Sequence, residues 1–398
     1  MTDTKKMNLV FFTHPLFLGS QSMPRFAQML TEGMKRRGHS VQVLVPQGNF
    51  FKLNVPGGLK KWMGYIDQYL IFPIKVRKQL NFYAEDTLFV FTDHALGPWV
   101  PLVAGRPHAI HCHDFLAQRS ALGEIKENPT GFTGRLYQNF IWKGYSKGQN
   151  FIPVSYKTEE DLKQFLIAEP KLSEVVYNGL NRSFENFNPA EARALFVKVT
   201  GLDLNEGYIL HIGGNQWYKN RIGVIEIYES WRDRGNGKLP LLMIGKKATP
   251  GLQTKRNVSE YANDIFFLTD IHDEQVLLAY SGASLLLFPS LAEGFGWPIA
   301  EAMASGCPVI TTNEAPMTEV AGDAAFLIPR RPEAPDDIIL WAIEGGKAVE
   351  KVVNFSPSER EVAVKAGIAN VKRFDTENTL DKIESIYQQI LKNYRRQA

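Results

Sequence analysis

Residues 289–301 read PSLAEGFGWPIAE and follow an apolar run, residues 284–288, that predicts a buried strand. Pro298 suits the first position of a helix, because a proline there loses no hydrogen bond. Gly294 and Gly296 allow the backbone to approach a ligand closely. Free N–H groups and a helix N-terminus therefore meet after the strand, and this combination binds anions such as a diphosphate.

Two carboxylates flank this turn. Glu293 lies in the loop, and Glu301 is expected in the first turn of the helix. Carboxylate oxygens accept hydrogen bonds from sugar hydroxyls, so two separated glutamates can hold two different sugars. A structural role for Glu301 also stands, because an acidic residue in the first turn complements the helix dipole.

Short β-rich runs alternate with longer helical patterns along the whole chain, which is typical of parallel α/β sheets. In the first half, strands are predicted at residues 7–13, 41–45, 88–91, 109–112 and 150–154. In the second half, they are predicted at residues 208–212, 240–244, 265–268, 284–288 and 309–311. We expect two Rossmann-like, doubly wound domains facing each other across a cleft, because ligands bind at the carboxyl ends of such strands.

The stretch resembles the donor-binding motif of family 4 glycosyltransferases, which have the two-domain GT-B fold. In that motif two glutamates are separated by seven residues, as Glu293 and Glu301 are. Four further segments match the family: residues 177–181 (YNGLN), 301–309 (EAMASGCPV), 319–325 (EVAGDAA) and 373–375 (RFD). With a boundary placed near residue 185, the resemblance implies an acceptor-side domain of residues 1–185, a nucleotide-sugar-binding domain of residues 186–374 and a helix, residues 375–398, that crosses back.

The resemblance also implies the roles of residues in the donor site. Glu293 contacts hydroxyls of the transferred sugar, and Glu301 holds the ribose of the nucleotide. The backbone N–H groups of Phe295 and Gly296 face the sugar or the diphosphate, and Gly294 belongs to the same donor-binding set.

Residues 211–221 (HIGGNQWYKNR) are predicted to form a strand, a glycine turn and a helix. Lys219 is expected to neutralise the leaving diphosphate, an effect of about 3 kcal/mol in typical sites; the alternative is a solvated lysine at a helix start. The family usually has Arg, Ser or Thr about five residues earlier, but here that place falls on Gly214. Asn215 beside it is assigned to donor binding, and Arg221 is either a substitute or a surface residue.

The sequence His-Cys-His-Asp at residues 111–114 contains residue types that bind metals. Consecutive strand residues point to opposite faces, however, and no second cluster has the spacing of a metal site. The resemblance instead places His113 beside the donor sugar, with His111 and Cys112 as packing residues. It also places the Gly19-Ser20-Gln21 loop near the phosphates and the acceptor, with one glycine where the family usually has two.

The sequence contains no Asp-x-Asp pair, which a transferase dependent on Mg²⁺ or Mn²⁺ would need. We therefore predict a metal-independent reaction in which Lys219, Asn215 and a helix N-terminus balance the phosphate charge. The expected co-substrate is a UDP- or GDP-sugar, and no other cofactor is predicted.

The composition indicates the cellular compartment of the protein. Two cysteines among 398 residues suit a reducing environment. The apolar run LVFFTHPLFLG imitates a signal peptide, but His14 and Pro15 interrupt it, so we interpret it as a buried first strand. No apolar run reaches the ~18 residues of a transmembrane helix. A cytoplasmic protein is predicted.

The net charge of +3 is unevenly distributed. Residues 1–180 hold 21 Lys and Arg against 14 Asp and Glu, whereas the rest hold 24 against 28. This pattern is either ordinary scatter or a surface for an anionic partner, such as a phosphorylated acceptor or lipid headgroups. Residues 50–80 mix aromatic, aliphatic and lysine residues, which fits a helix on a membrane surface or one that lines a cleft or core. No basic block of the kind that binds nucleic acid is present.

These features predict a retaining hexosyltransferase that moves a sugar from a nucleotide diphosphate to a hydroxyl of a glycan, a lipid-linked or a small-molecule acceptor. Family members keep the anomeric configuration of the donor, and the motifs contain no obvious nucleophile. Two alternatives remain. One is a catalytically inactive partner subunit that binds nucleotide-sugars, and the other is a GT-B nucleotide-sugar epimerase.

Overall fold

The computed structural model describes residues 6–19, 22–180, 187–235 and 237–396. Internal contacts divide the chain into two units, the first comprising Met1–Asn181 with Thr376–Ala398 and the second comprising Arg182–Asp375. The boundary predicted near residue 185 and Asn181 of the YNGLN segment lie outside the described residues. Within the described residues, no helix combines the length and the apolar content that crossing a bilayer requires.

The first unit is built on one parallel sheet. Its strands are β1 (Asn8–Phe12), β2 (Ser40–Leu44), β3 (Leu88–Phe91), β4 (His108–Cys112), β5 (Asn150–Pro153) and β6 (Leu172–Ser173). Their order is β2-β1-β3-β4-β5-β6, so the direction of winding reverses between β1 and β3. The loops that follow these two strands therefore meet at the carboxyl edge of the sheet, where α/β sheets bind ligands.

Helices cover both faces of this sheet. They are α1 (Ser22–Arg36), α2 (Gly57–Ile66), α3 (Phe72–Leu80), α4 (Leu116–Leu122), α5 (Phe132–Tyr145) and α6 (Tyr156–Phe165). In α1, the apolar residues Phe26, Leu30 and Met34 recur at every fourth position and are buried, as their helical spacing predicts. A single π turn, Asp67–Ile71, joins α2 to α3.

The second unit repeats the plan. Its strands are β7 (Ile209–Ile212), β8 (Leu241–Ile244), β9 (Ile265–Leu268), β10 (Leu285–Phe288), β11 (Val309–Thr312) and β12 (Phe326–Ile328). They are parallel in the order β12-β11-β10-β7-β8-β9, so β7 and β10 are neighbours at the point where the winding reverses. Each predicted strand is present with small differences at its ends, and β6 and β12 are additional.

The helices of the second unit lie between these strands and after them. They are α7 (Pro189–Thr200), α8 (Arg221–Asp233), α9 (Pro250–Asn257), α10 (Asp273–Gly282), α11 (Trp297–Ala304), α12 (Met317–Ala321), α13 (Pro335–Val353) and α14 (Pro357–Val371). The two parallel sheets with their helices confirm the predicted class of two doubly wound α/β units.

The segment after the second unit completes the first one. Helix α15 (Thr376–Arg395) packs Leu380, Ile383 and Tyr387 into the core that β1 and α1 form, and these three side chains are fully buried. The apolar residues of α15 recur at helical spacing, as the sequence predicts. Burying each side chain of this size stabilises the fold by about 1.5–3 kcal/mol.

Candidate active site

An ion pair occupies the carboxyl edge of the second sheet. Lys219 follows β7, Glu293 follows β10, and Lys219 Nζ lies 2.7 Å from Glu293 Oε1. Ser290 Oγ donates a second hydrogen bond of 2.6 Å to the same oxygen. The side chains of the pair are only 13% and 9% exposed, so the interaction is shielded from water. Glu293 Oε2 receives no hydrogen bond from the described residues, which leaves it available to a ligand.

Helix α11 begins directly beyond this pair. Gly296 stands at its N-cap with a φ of 105°, a left-handed conformation that favours glycine, and no side chain caps the helix. The positive end of the helix dipole therefore lies close to Glu293 in the chain, at a place suited to an anion. Phe295 is buried and packs edge-on against Phe374 at 5.3 Å, so only its backbone is suited to contact a ligand.

Glu301 lies one residue further along α11 than the sequence predicts. The helix begins at Trp297, with Pro298 in its second position, so Glu301 is in the second turn and the first turn contains no acidic residue. The expectation of a first-turn glutamate that complements the dipole is therefore wrong. Tyr280 of α10 donates a 2.9 Å hydrogen bond to Glu301 Oε2 and fixes the carboxylate.

Asn215 and Arg221 form a second polar group after β7. Arg221 Nη1 donates to Asn215 Oδ1 at 2.6 Å and to the carbonyl of Lys246 at 2.9 Å. Asn215 Nδ2 in turn donates to the carbonyl of Lys247 at 2.8 Å. Both polar atoms of the Asn215 side chain are thus used within the protein. Gly214, where the family usually has a polar residue, precedes it.

Arg221 is a buried cation, and the surface alternative is wrong. Only 6% of the residue is exposed, and burial lowers the pKa of its guanidinium. Its Nε and Nη2 atoms have no hydrogen-bond partner, and no carboxylate among the described residues forms an ion pair with it. Burying a charge without a counter-charge is costly, and the ring of Phe267, whose centroid lies 5.5 Å from Cζ of Arg221, offsets part of that cost.

In the first unit, His113 follows β4. Its Nε2 donates to the carbonyl of Thr92 at 3.0 Å, and the ring of Phe26 packs edge-on at 4.5 Å. Burial lowers the pKa of His113, so the ring is neutral and Nδ1 is its hydrogen-bond acceptor. His111 and Cys112 lie in the core.

Gly19 closes the short 3₁₀ helix Leu16–Leu18 with a φ of 67°. Ser20 and Gln21, the other residues of the predicted loop, lie outside the described residues. Among the residues that the structure does describe, no three His, Cys, Asp or Glu side chains form a group that could hold a metal ion.

Two family models match the chain. Residues 193–359 match Glycosyl transferases group 1, and residues 23–184 match Glycosyltransferase Family 4. The chain belongs to glycosyltransferase family 4.

Among the relatives of this glycosyltransferase are proteins described as mannosyltransferases. The O-antigen chain mannosyltransferase B of Escherichia coli is 29% identical over 46% of either chain. The O-antigen chain mannosyltransferase RfbU of Salmonella typhimurium is 27% identical over 54% of this chain and 55% of its own. The chain therefore matches about half the length of these curated relatives.

Solved structures share the fold over almost the whole chain. Sucrose-phosphate synthase from Thermosynechococcus elongatus superposes with a TM-score of 0.71 at 16% identity, over 96% of this chain and 99% of its own. WaaG, a glycosyltransferase involved in lipopolysaccharide biosynthesis, gives 0.68 at 17% identity, over 95% and 99%. Anabaena HepE, in complex with UDP and glucose, gives 0.67 at 16% identity, over 95% and 98%. These likenesses confirm the predicted GT-B fold class of the glycosyltransferase.

The first unit of the glycosyltransferase also holds one carboxylate between two histidines, a group that was not predicted from the sequence. Asp93 follows β3, and its Oδ2 lies 2.8 Å from Nε2 of His14, which follows β1. His94 Nδ1 lies 3.0 Å from Asp93 Oδ1. Burial alone raises the pKa of Asp93, but the two histidines hold the pKa well below its usual range. The sequence feature that could have indicated this group is a polar residue after each of two apolar strands.

Buried neutral histidines predict that the glycosyltransferase loses stability in acid. Burial lowers the pKa of His111 and of His211 to about 3, against about 6.5 in an unfolded chain. The unfolded chain therefore binds protons first, and the free energy of unfolding falls as the pH drops below about 6.5, down to about 3. At pH 5 each histidine is expected to account for about 2 kcal/mol. Melting temperatures between pH 7 and pH 5 check this, and His211→Gln should show a shallower decrease; an unchanged slope would contradict it.

Proposed function

We propose that the protein is a retaining hexosyltransferase that uses a nucleotide diphosphate sugar as donor and a hydroxyl group as acceptor. The observation that carries the proposal is the shielded Lys219–Glu293 pair, with an unbound carboxylate oxygen, next to the uncapped N-terminus of α11. A cation and a helix dipole suit the diphosphate, and the carboxylate suits hydroxyls of the sugar. The mannosyltransferases among the relatives and HepE with UDP and glucose support a hexose as the transferred sugar, and HepE supports UDP as the nucleotide.

In the proposed reaction, the bond between the anomeric carbon and the phosphate oxygen breaks, and the electron pair leaves with the nucleotide. Lys219 stabilises the charge that develops on the diphosphate. The acceptor oxygen bonds to the anomeric carbon on the face that the nucleotide leaves, and its proton passes to the leaving phosphate. Glu293 Oε2 orients the sugar, while Tyr280 holds the Glu301 carboxylate for the ribose. The role of His113 beside the sugar remains a prediction from the resemblance.

The charge of the diphosphate is balanced by the protein alone in this proposal. Lys219 and the N-terminus of α11 supply positive charge, and Arg221 supplies a third source in place of the arginine that family members usually carry earlier. Both Lys219 and Arg221 lie near enough to His211 to contribute to lowering its pKa, after the larger effect of burial. Asn215 holds Arg221 and the backbone at Lys247, and its role in donor binding stays a prediction.

Arg221→Gln is expected to weaken binding of UDP or GDP by about tenfold or more, because hydrogen bonds to charged groups contribute about 1.5–3 kcal/mol. Arg232 offers a matched control, since it lies on the same helix, is similarly shielded and is paired with Asp264 at 2.6 Å. Arg232→Gln should leave nucleotide affinity unchanged. Calorimetric titration measures both. Equal affinities for Arg221→Gln and the unmodified protein would show that Arg221 only supports the loop.

Product analysis tests the function as a whole. A thermal-shift screen against UDP-, GDP- and ADP-sugars identifies the donor, because a bound ligand raises the melting temperature. With that donor, the anomeric proton of the product should show the configuration of the donor by NMR, and nucleotide release should increase with added acceptor. An inverted product would refute the retaining mechanism. An epimer formed without acceptor would indicate an epimerase, and binding without turnover an inactive partner subunit. A cytoplasmic location stays a prediction from the cysteine content.

A further inference from the structure

Two helical segments of the first unit expose apolar side chains to solvent. One is the continuous segment from α2 through the π turn to α3, and the other is α5. On α5 the three apolar residues follow one another at every fourth position and form a single stripe. Between 45% and 76% of each residue is exposed. Together they form one surface, termed the apolar surface, which consists of Leu59, Trp62, Leu70, Phe132, Leu136 and Phe140.

A row of aromatic rings makes this apolar surface continuous. Trp62 packs edge-on against Tyr65 at 5.8 Å, and Tyr65 stacks on Tyr137 of α5 at 5.4 Å. Tyr69 joins the same row, with its hydroxyl 2.7 Å from that of Tyr137 and its ring 5.3 Å from Phe140. The exposed residues of the two helical segments are therefore neighbours on one face rather than separate positions.

The two helical segments that carry the apolar surface have a net positive charge. Residues 50–80 contain six Lys and Arg and a single acidic residue, Asp67. That carboxylate is buried and accepts hydrogen bonds from the backbone N–H groups of Phe50 and Phe51, so it does not offset the surface charge. Helix α5 adds Arg135 and Lys143 and no acidic residue. An anionic partner therefore fits this face.

The composition identifies the kind of partner. Lysine is depleted in protein–protein interfaces, whereas helices that lie on a bilayer have Lys and Arg on the polar face and Trp, Phe and Leu on the other. A helix with an apolar stripe and basic flanks lies in the plane of the membrane surface. We propose that the apolar surface docks on a bilayer that contains anionic phospholipids. This binding activity goes beyond sugar transfer and does not depend on it.

Co-sedimentation of the full chain with vesicles tests the proposal. We expect binding to vesicles of phosphatidylcholine and phosphatidylglycerol in equal parts and much weaker binding to phosphatidylcholine alone. The triple variant Phe132→Gln, Leu136→Gln, Phe140→Gln should weaken binding to the anionic vesicles by about a hundredfold, because apolar burial drives insertion into the interface. Phe132 and Leu136 are exposed and Phe140 is half-buried against Tyr69, so circular dichroism should stay the same and the melting temperature should fall by only about 2–4 °C.

A second variant tests the contribution of charge. Lys60→Gln, Lys61→Gln should weaken binding to anionic vesicles by about fivefold per lysine, since each cation near such a surface contributes about 1 kcal/mol, and it should leave binding to neutral vesicles unchanged. The matched control is Ile339→Gln, Leu340→Gln, Ile343→Gln. These three residues are likewise exposed, on α13, but Asp336, Asp337 and Glu344 accompany them on that helix. This control should bind as the unmodified chain does.

Three results would overturn the proposal. The first is that the unmodified chain fails to bind anionic vesicles. The second is that the α5 variant binds them as tightly as the α13 control. The third is that sedimentation velocity shows a dimer that the α5 variant dissociates while vesicle binding is absent, which would assign the apolar surface to a second copy of the chain.

Discussion

Glu293→Gln is expected to lower the rate of sugar transfer by about 100- to 1,000-fold and to leave the affinity for UDP or GDP almost unchanged. Glutamine has nearly the same shape, so the hydrogen bonds from Lys219 and Ser290 to Oε1 can persist. The negative charge beside the sugar is lost, and it is needed when positive charge develops at the anomeric carbon. Lys219 is no longer neutralised, so the diphosphate is held at least as firmly.

Steady-state rates and calorimetric titration with the nucleotide separate these two effects of Glu293→Gln. Ser290→Ala is the matched control, because it removes one donor to the same oxygen and keeps the carboxylate and its lysine. Its rate should fall by less than about tenfold, in line with one ordinary hydrogen bond. A Glu293→Gln protein with the unmodified rate would refute the assignment of Glu293 to the transferred sugar.

Lys219→Ala is expected to weaken nucleotide binding and to slow transfer, each by about 100-fold, because the ammonium faces the diphosphate before and during bond breaking. The same change leaves the shielded Glu293 carboxylate without its cation. We therefore expect a loss of about 3 kcal/mol in the free energy of unfolding. Chemical denaturation measures that loss, and titration with UDP or GDP measures binding.

A double variant separates the structural and functional parts of the Lys219 effect. Lys219→Met with Glu293→Gln removes both charges and keeps the volume, so most of the lost stability should return. Activity should not return, because the diphosphate still lacks its cation. Unchanged donor binding in Lys219→Ala would contradict the phosphate role, and recovery of activity in the double variant would show that the pair is structural.

The strands could be predicted from the sequence because parallel strands buried on both faces are nearly continuous apolar runs. Strands β6 and β12 could not, because they are short and lie at the edges of their sheets. The start of α11 was misplaced by one residue, since a proline is tolerated at more than one position of a first turn and Gly296 can serve as the N-cap. Because the helix begins one residue earlier than predicted, Glu301 lies in its second turn.

Several contacts of the candidate site have no local sequence signal. Arg221 donates to the carbonyl group of Lys246, 25 residues away, and a cation at a helix start is normally solvated, so its burial is a property of the folded unit. Tyr280 is an ordinary aromatic residue in a helical pattern until α10 brings it to Glu301. The approach of His14 to Asp93, 79 residues apart, follows from the pairing of β1 with β3. The site residues and the loops that carry them could thus be predicted from the sequence. The hydrogen-bond and ion-pair partners that hold these side chains in place could not.

Helix α15 determines the order in which the two units can complete their folding during synthesis. As the chain leaves the ribosome, residues 6–180 emerge first, yet the apolar face of β1 and α1 lacks the helix that covers it until Thr376–Arg395 has been translated. The second unit is one continuous stretch of sequence, Arg182–Asp375, and can close earlier. The unit that is synthesised first is therefore completed last, and in the interval its uncovered apolar face is prone to aggregation.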